Sequence, residues 1–137
     1  MKFTEYPGAY RLKGNRGGPV IRGFCANLPR AASDLARLTK TDLSDADLTG
    51  ANLMRGSLRK SRLVRTDLTG ANLYGANLTG ANLSRARLVG TDFTLAKMKY
   101  ASLNGASLLG AKLNWADLGE SRLLRCRVGR AELFGTD

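Results

Sequence analysis

The sequence predicts a solenoid, a rod in which one short unit repeats along the axis. Three observations predict it. From Ala36 the 137-residue chain divides into 20 consecutive five-residue blocks (ARLTK, TDLSD, ADLTG and onward to AELFG) that cover 100 residues without insertion or deletion. The first position of each block is always small, and the third is apolar in all 20, with Leu in 17 and Phe93, Met98 and Val128 in the others. A period of five also fits neither regular element. On a helix, five residues advance about 500°, so the leucines would spread around the axis. On a strand, an odd period would send alternate leucines to opposite faces. What fits is a chain that turns once per block, with positions one and three inward and positions two, four and five outward.

Residues 1–35 precede the regular blocks and form the first of two regions. Ala9-Tyr10-Arg11-Leu12-Lys13 and Val20-Ile21-Arg22-Gly23-Phe24, on either side of a Gly-rich stretch ending at Pro19, read as a short hairpin. Pro29 to Ala36 reads as a brief helix with Pro near its first turn. Ala26-Asn27-Leu28 is also in register with the later blocks, so an irregular first coil is the competing reading. Either arrangement would cap the open top of the solenoid, an edge that invites aggregation when bare. The second region is 36–137. Its fifth positions include Gly50, Gly70, Gly75, Gly80 and Gly90, which suit turns with positive φ.

Ala46-Asp47-Leu48, Ala51-Asn52-Leu53, Ala71-Asn72-Leu73, Ala76-Asn77-Leu78 and Ala81-Asn82-Leu83 repeat an Ala-Asp/Asn-Leu-x-x unit that resembles the pentapeptide-repeat family. The resemblance implies an all-β fold, a right-handed quadrilateral β-helix with four blocks per coil. It implies about five coils, roughly 24 Å tall at the usual strand spacing. It also implies one function class: the quinolone-resistance members act on DNA gyrase as DNA mimics through an acidic surface, and gyrase-inhibiting relatives dimerise through their C-terminal end.

Composition narrows the chemistry. The chain carries 22 Lys and Arg against 11 Asp and Glu, a net charge of +11, and no histidine. Neither Ser-His-Asp nor Cys-His catalysis can be built, and the commonest zinc ligand is missing. No phosphate loop or paired carboxylates point to an enzyme, and no cofactor or metal is expected. The Met1 to Gly14 stretch holds no apolar run of signal-peptide length, and nothing later approaches the ~18 apolar residues of a membrane span. A cytoplasmic setting is expected. A charge of +11 opposes direct DNA mimicry and calls for an acidic partner, nucleic acid or acidic protein.

Sorting blocks by a 20-residue coil places the charge. One wall carries Arg37, Lys40, Arg59, Lys60, Lys97 and Lys99, with Tyr100 placed to stack on a base, against Asp117 and Glu120. The next carries Arg62, Arg65, Arg85, Arg122 and Arg125 against Asp42 and Asp45. From these walls the expected polyanion contacts are Arg37, Lys40, Arg59, Lys60, Arg62, Arg65, Arg85, Lys97, Lys99 and Tyr100. Lys40 above Lys60 and Arg65 above Arg85 are like-charge neighbours that a polyanion would relieve. The competing reading is a solvated face covered by long stems. A balanced wall aligns Met54 and Tyr74 with Phe134, and Leu95 with Trp115, as a partner interface. Leu123, Val128, Leu133 and Phe134 lie in the last coil, where a homodimer or docked partner would cover them. The expected function is a non-enzymatic adaptor that offers a basic surface to an acidic partner. The alternatives are a gyrase modulator and a structural subunit docked through its aromatic face and last coil.

Overall fold

The computed structural model describes residues 10–13, 19–22 and 38–137. Tyr10–Lys13 (β1) and Pro19–Arg22 (β2) pair antiparallel, with Tyr10 opposite Arg22 and Lys13 opposite Pro19. The short helix or first coil expected over 26–35 lies outside the described residues, as does Arg37.

From Leu38 the five-residue period becomes a hydrogen-bond pattern. Each second-position residue forms a parallel bridge with the second position 20 residues later, from Asp42↔Arg62 through Lys112↔Glu132, 15 bridges in all. The bonds repeat with equal regularity. Leu43 N–H donates to the Arg62 carbonyl (2.7 Å) and Arg62 N–H to the Thr41 carbonyl (2.9 Å). Between bridges the chain turns, and the first-position N–H returns to the third-position carbonyl three residues back, as from Ala46 to Leu43 (3.1 Å). Every ladder contact is a single bridge because a turn follows at once. Four blocks therefore close one coil, and the rod is a four-sided β-helix.

The turn sets the chemistry of each position. All 20 fifth-position residues have positive φ, eight of them Gly and twelve not, including Lys60 (φ 54), Arg65 (φ 58), Tyr100 (φ 59) and Trp115 (φ 60). Glycine alone enters this region without cost. The twelve others hold it because the flanking ladder bonds fix the turn on both sides. At Gly90 (φ 63) an added Cβ meets nothing within 4 Å, so backbone strain acts there without a clash. Gly90→Ala is expected to destabilise the protein by about 1 kcal/mol, read as a lower urea midpoint with an unchanged m-value.

Position two explains the Asp/Asn preference. The Oδ1 of Asp47, Asn52, Asn72, Asn77, Asn82 and Asp92 accepts the N–H two residues on, at 2.9–3.3 Å, forming an Asx turn that satisfies the fourth-position donor. Where position two is Arg122 or Glu132, a fourth-position Asn one coil earlier does the same: Asn104 accepts from Leu124 N–H and Asn114 from Phe134 N–H, both at 3.0 Å.

Positions one and three build the core. Leucines from Leu38 to Leu113, together with Phe93 and Met98, are buried, with small residues between them. Where position one is polar, its side chain finds a carbonyl in the coil before. Thr66 donates to Leu43, Thr91 to Leu68 and Thr136 to Leu113 (2.7–2.8 Å), and the Cys126 thiol donates to Leu103 (2.9 Å). A buried hydroxyl is thereby satisfied instead of stranded. In the last coil the third-position residues Leu123, Val128 and Leu133 are 38%, 45% and 50% exposed.

Candidate polyanion-binding walls

The turn that aims position five outward also places the charge. Lys40, Arg59, Lys60, Arg62, Arg65, Arg85, Lys97, Lys99 and Tyr100 are all exposed and stand on two adjoining walls of the rod. The ladder puts Lys40 and Lys60 in one column, and Arg65 and Arg85 in the next.

Acidic residues divide these cations into two groups. Arg65 forms a two-pronged contact with Asp45 one coil before it, Nε to Oδ1 at 2.7 Å and a terminal nitrogen to Oδ2 at 2.6 Å. Arg62 pairs with Asp42 (3.7 Å), Arg87 with Asp67 (3.5 Å), and Lys99 with Asp117 (3.7 Å). Exposed pairs of this kind contribute roughly 0.2–1 kcal/mol each, but they settle where a cation points. The like-charge contact expected between Arg65 and Arg85 is eased because Arg65 turns back to Asp45. Tyr100 hydrogen-bonds Glu120, which holds its phenol above its ordinary pKa.

Long outward stems have seats. The Cβ position of Gly80 lies 3.5 Å from Lys60 Cγ, and that of Gly105 lies 3.5 Å from Arg85 Cγ. Glycine one coil on thus receives the aliphatic stem of the cation before it. Trp115 lies over Gly135 so closely that a Cβ there would collide with the indole.

The balanced wall is a separate surface. Met54, Leu95 and Trp115 are exposed, and Tyr74 is half-buried. Trp115 and Phe134 meet edge to face, with centroids 5.1 Å apart at 87°, an arrangement favoured by the aromatic quadrupole. The structure thus joins the Trp115 column to Phe134.

Two titrating groups carry information. The Asp47 carboxyl is held below its ordinary 3.8 by hydrogen bonds from the Thr49 side chain and backbone. A depressed folded-state value stabilises the protein above the unfolded-state pKa, and the gain is lost as pH falls through the folded one. Asp47→Asn keeps the Oδ1 acceptor while removing the charge. We expect it to match the parent's urea midpoint at neutral pH and to lose less than the parent below about pH 4. The Cys126 thiol is pushed up by burial, which lowers its reactivity. No cluster of His, Cys, Asp and Glu able to hold a metal occurs among the described residues.

A family profile described as pentapeptide repeats, in 8 copies, matches residues 26–55, 55–85 and 86–125. The chain belongs to the pentapeptide-repeat family. The members are in general interaction proteins and not enzymes. A pentapeptide repeat protein from the cyanobacterium Cyanothece is similar at 34% identity and a TM-score of 0.64, over 69% of this chain and 62% of that one. The match thus spans less than two thirds of that relative. A pentapeptide repeat protein from the Arabidopsis thaliana thylakoid lumen shares 29% identity over 80% of this chain and 74% of its own, with a TM-score of 0.47. QnrB1 in trypsin-treated form, a plasmid-mediated fluoroquinolone resistance protein, shares 16% identity over 75% of this chain and 68% of its own, with a TM-score of 0.42. No curated protein matches the chain. Among the described residues, no helix is long and apolar enough to cross a membrane.

The predicted site omitted four arginines. Arg122, Arg125, Arg127 and Arg130 are exposed and make no ion pair among the described residues. The residue 20 positions earlier could have revealed them. Arg62, Arg65 and Arg87 have Asp there, whereas these four have Ser102, Gly105, Ser107 and Gly110.

Proposed function

We propose that this pentapeptide-repeat protein is a non-enzymatic binding module whose basic walls engage an acidic macromolecule. The carrying observation is a cationic surface with too few acids to neutralise it: Lys40, Arg59, Lys60 and Arg85 are exposed and make no ion pair among the described residues. A rigid ladder holds their backbones in place, so little ordering entropy opposes binding. The proposed architecture is about five right-handed coils with residues 1–35 as an N-terminal cap, and the proposed setting is the cytoplasm. Binding to short nucleic acids and to polyglutamate across a salt series tests the reading. A steep fall in affinity with salt supports it, and no binding of any polyanion at low salt sinks it.

A second reading rests on the apolar surfaces: a subunit docked through Leu95, Trp115 and Phe134 and through the last coil, where Leu123, Val128 and Leu133 are exposed. A second copy is the occupant proposed for that coil, and light scattering with Phe134→Asp checks it. Gyrase modulation remains a third possibility to assay by supercoiling, and the +11 charge argues against direct DNA mimicry.

A further inference from the structure

Within the proposed basic surface the geometry points to a narrower site: we infer that Arg85, Arg122, Arg125, Arg127 and Arg130 form a corner that grips a phosphodiester backbone. This rests on the polyanion reading and moves its centre away from Lys40 and Lys60.

Four observations converge. First, these five arginines have no acidic partner among the described residues, while Arg62, Arg65, Arg87 and Lys99 are each engaged by one. Second, they are gathered. Arg122 and Arg125 stand on one wall, and Arg127 and Arg130 follow on the adjoining wall across the corner at Cys126. The Arg85 stem passes over Gly105, 3.5 Å from its Cβ position, and Gly105 lies one coil before Arg125. Third, the steps before the four arginines are occupied by small residues. Ser102 and Ser107 bridge to Arg122 and Arg127, and an added Cβ at Gly110 would meet nothing within 4 Å. A phosphate therefore has room between a guanidinium and the preceding coil, with the serine hydroxyls as further donors. Fourth, all five are Arg, whose planar fork matches two phosphate oxygens where Lys offers a point charge.

The partner's class follows from the wall. Beside the arginines it is polar: Ser84 and Ser102 share a hydrogen bond at 2.9 Å, and Asn104 caps Leu124. Protein-binding cores concentrate aromatic and apolar anchors, and those lie on the other wall at Trp115 and Phe134. A polar, cationic, unpaired surface is the character of a nucleic-acid interface. Leu124, 71% exposed between Arg122 and Arg125, gives a sugar or base an apolar surface to rest on.

The test measures anisotropy of labelled single-stranded DNA, RNA and duplex DNA of equal length, with polyglutamate as competitor. The variants are R122Q/R125Q/R127Q/R130Q and, as a control, K40Q/K60Q; circular dichroism checks that each stays folded. The arginine variant is expected to lose about tenfold or more in affinity, and its log K against log salt slope to flatten by about 3. The control is expected to stay within about threefold of the parent at the same salt. The three nucleic acids then distinguish the source of the phosphodiester. Equal loss in the control overturns the corner assignment, and equal competition by polyglutamate at matched charge overturns the phosphodiester; both leave the wider reading standing. Failure of the parent protein to bind any polyanion removes both.

Discussion

Replacing Phe93 by alanine is expected to lower the stability of the solenoid by about 3–5 kcal/mol. Phe93 is fully buried and occupies a third position otherwise filled by leucine, with Leu73 one coil before it and Leu113 one coil after. Its ring meets side chains from both neighbouring coils, and a ladder fixed by backbone bonds cannot collapse to fill the space. The cost therefore falls at the upper end of large-to-small substitutions. Phe93→Leu restores the shape used by the rest of its column and is expected to cost about 1.5 kcal/mol or less. Urea unfolding of the two variants measures the difference. Equal, small losses would mean that the coils move apart freely and that the core is not close-packed.

A deletion has a larger expected effect. Removing Gly80 alone shifts each later block by one position, so that Leu83, Leu88 and Phe93 leave the core unless the chain loops out. Exposing three such side chains costs roughly 5–9 kcal/mol, enough to unfold a small domain. Removing all of 76–80 keeps each later block in phase, and the ladder can re-form one wall further round. That variant is expected to remain folded, with the charge pairs rearranged: Asp67 would face Asp92, and Arg87 would lose its partner. Circular dichroism and thermal melting of the two deletions separate the outcomes. A stable single-residue deletion would show that the five-residue phase does not hold the fold.

Much of this architecture was legible in the sequence because one chemical rule governs each position. Leu at position three and Ala at position one mark the core. Asp or Asn at position two marks the Asx turn, although its role as a cap becomes visible only with the Oδ1 contacts of Asn52 and Asn72. The register also carried over to the surface, where Asp42 and Arg62 are paired at the spacing that the blocks imply. Other features resisted a reading by composition. Glycine at position five signals positive φ, but Lys60, Leu95 and Trp115 adopt it as well, because the ladder on each side imposes the turn regardless of side chain. The caps from Asn104 and Asn114 come from a neighbouring coil and have no local signature.

Charge was the least legible property, for a physical reason. A count per wall treats Asp42 and Asp45 as a general counterweight, yet short-range pairing lets each neutralise only the arginine 20 residues on. Comparing every cation with the residue 20 positions before it would have separated Arg65 from Arg125. It would also have placed the open cationic corner nearer Cys126 than Lys60. The excess charge of +11 is therefore concentrated where Ser and Gly precede Arg.

Every surface assignment depends on a coil of 20 residues, and cross-linking measures that directly. In a background with Cys25→Ser and Cys126→Ser, the pair Ser57→Cys/Asn77→Cys joins second positions that form a parallel bridge. Adjacent strands lie about 4.8 Å apart, within the range of roughly 4.4–6.8 Å that a disulfide spans. The pair Ser57→Cys/Asn72→Cys has the same position type but falls on a different wall. Under mild oxidation the first pair is expected to close within one chain and the second to remain reduced, as read by non-reducing gel mobility and thiol titration. Closure of the second pair in preference to the first would contradict the four-block coil, and with it the placement of each charge on the rod.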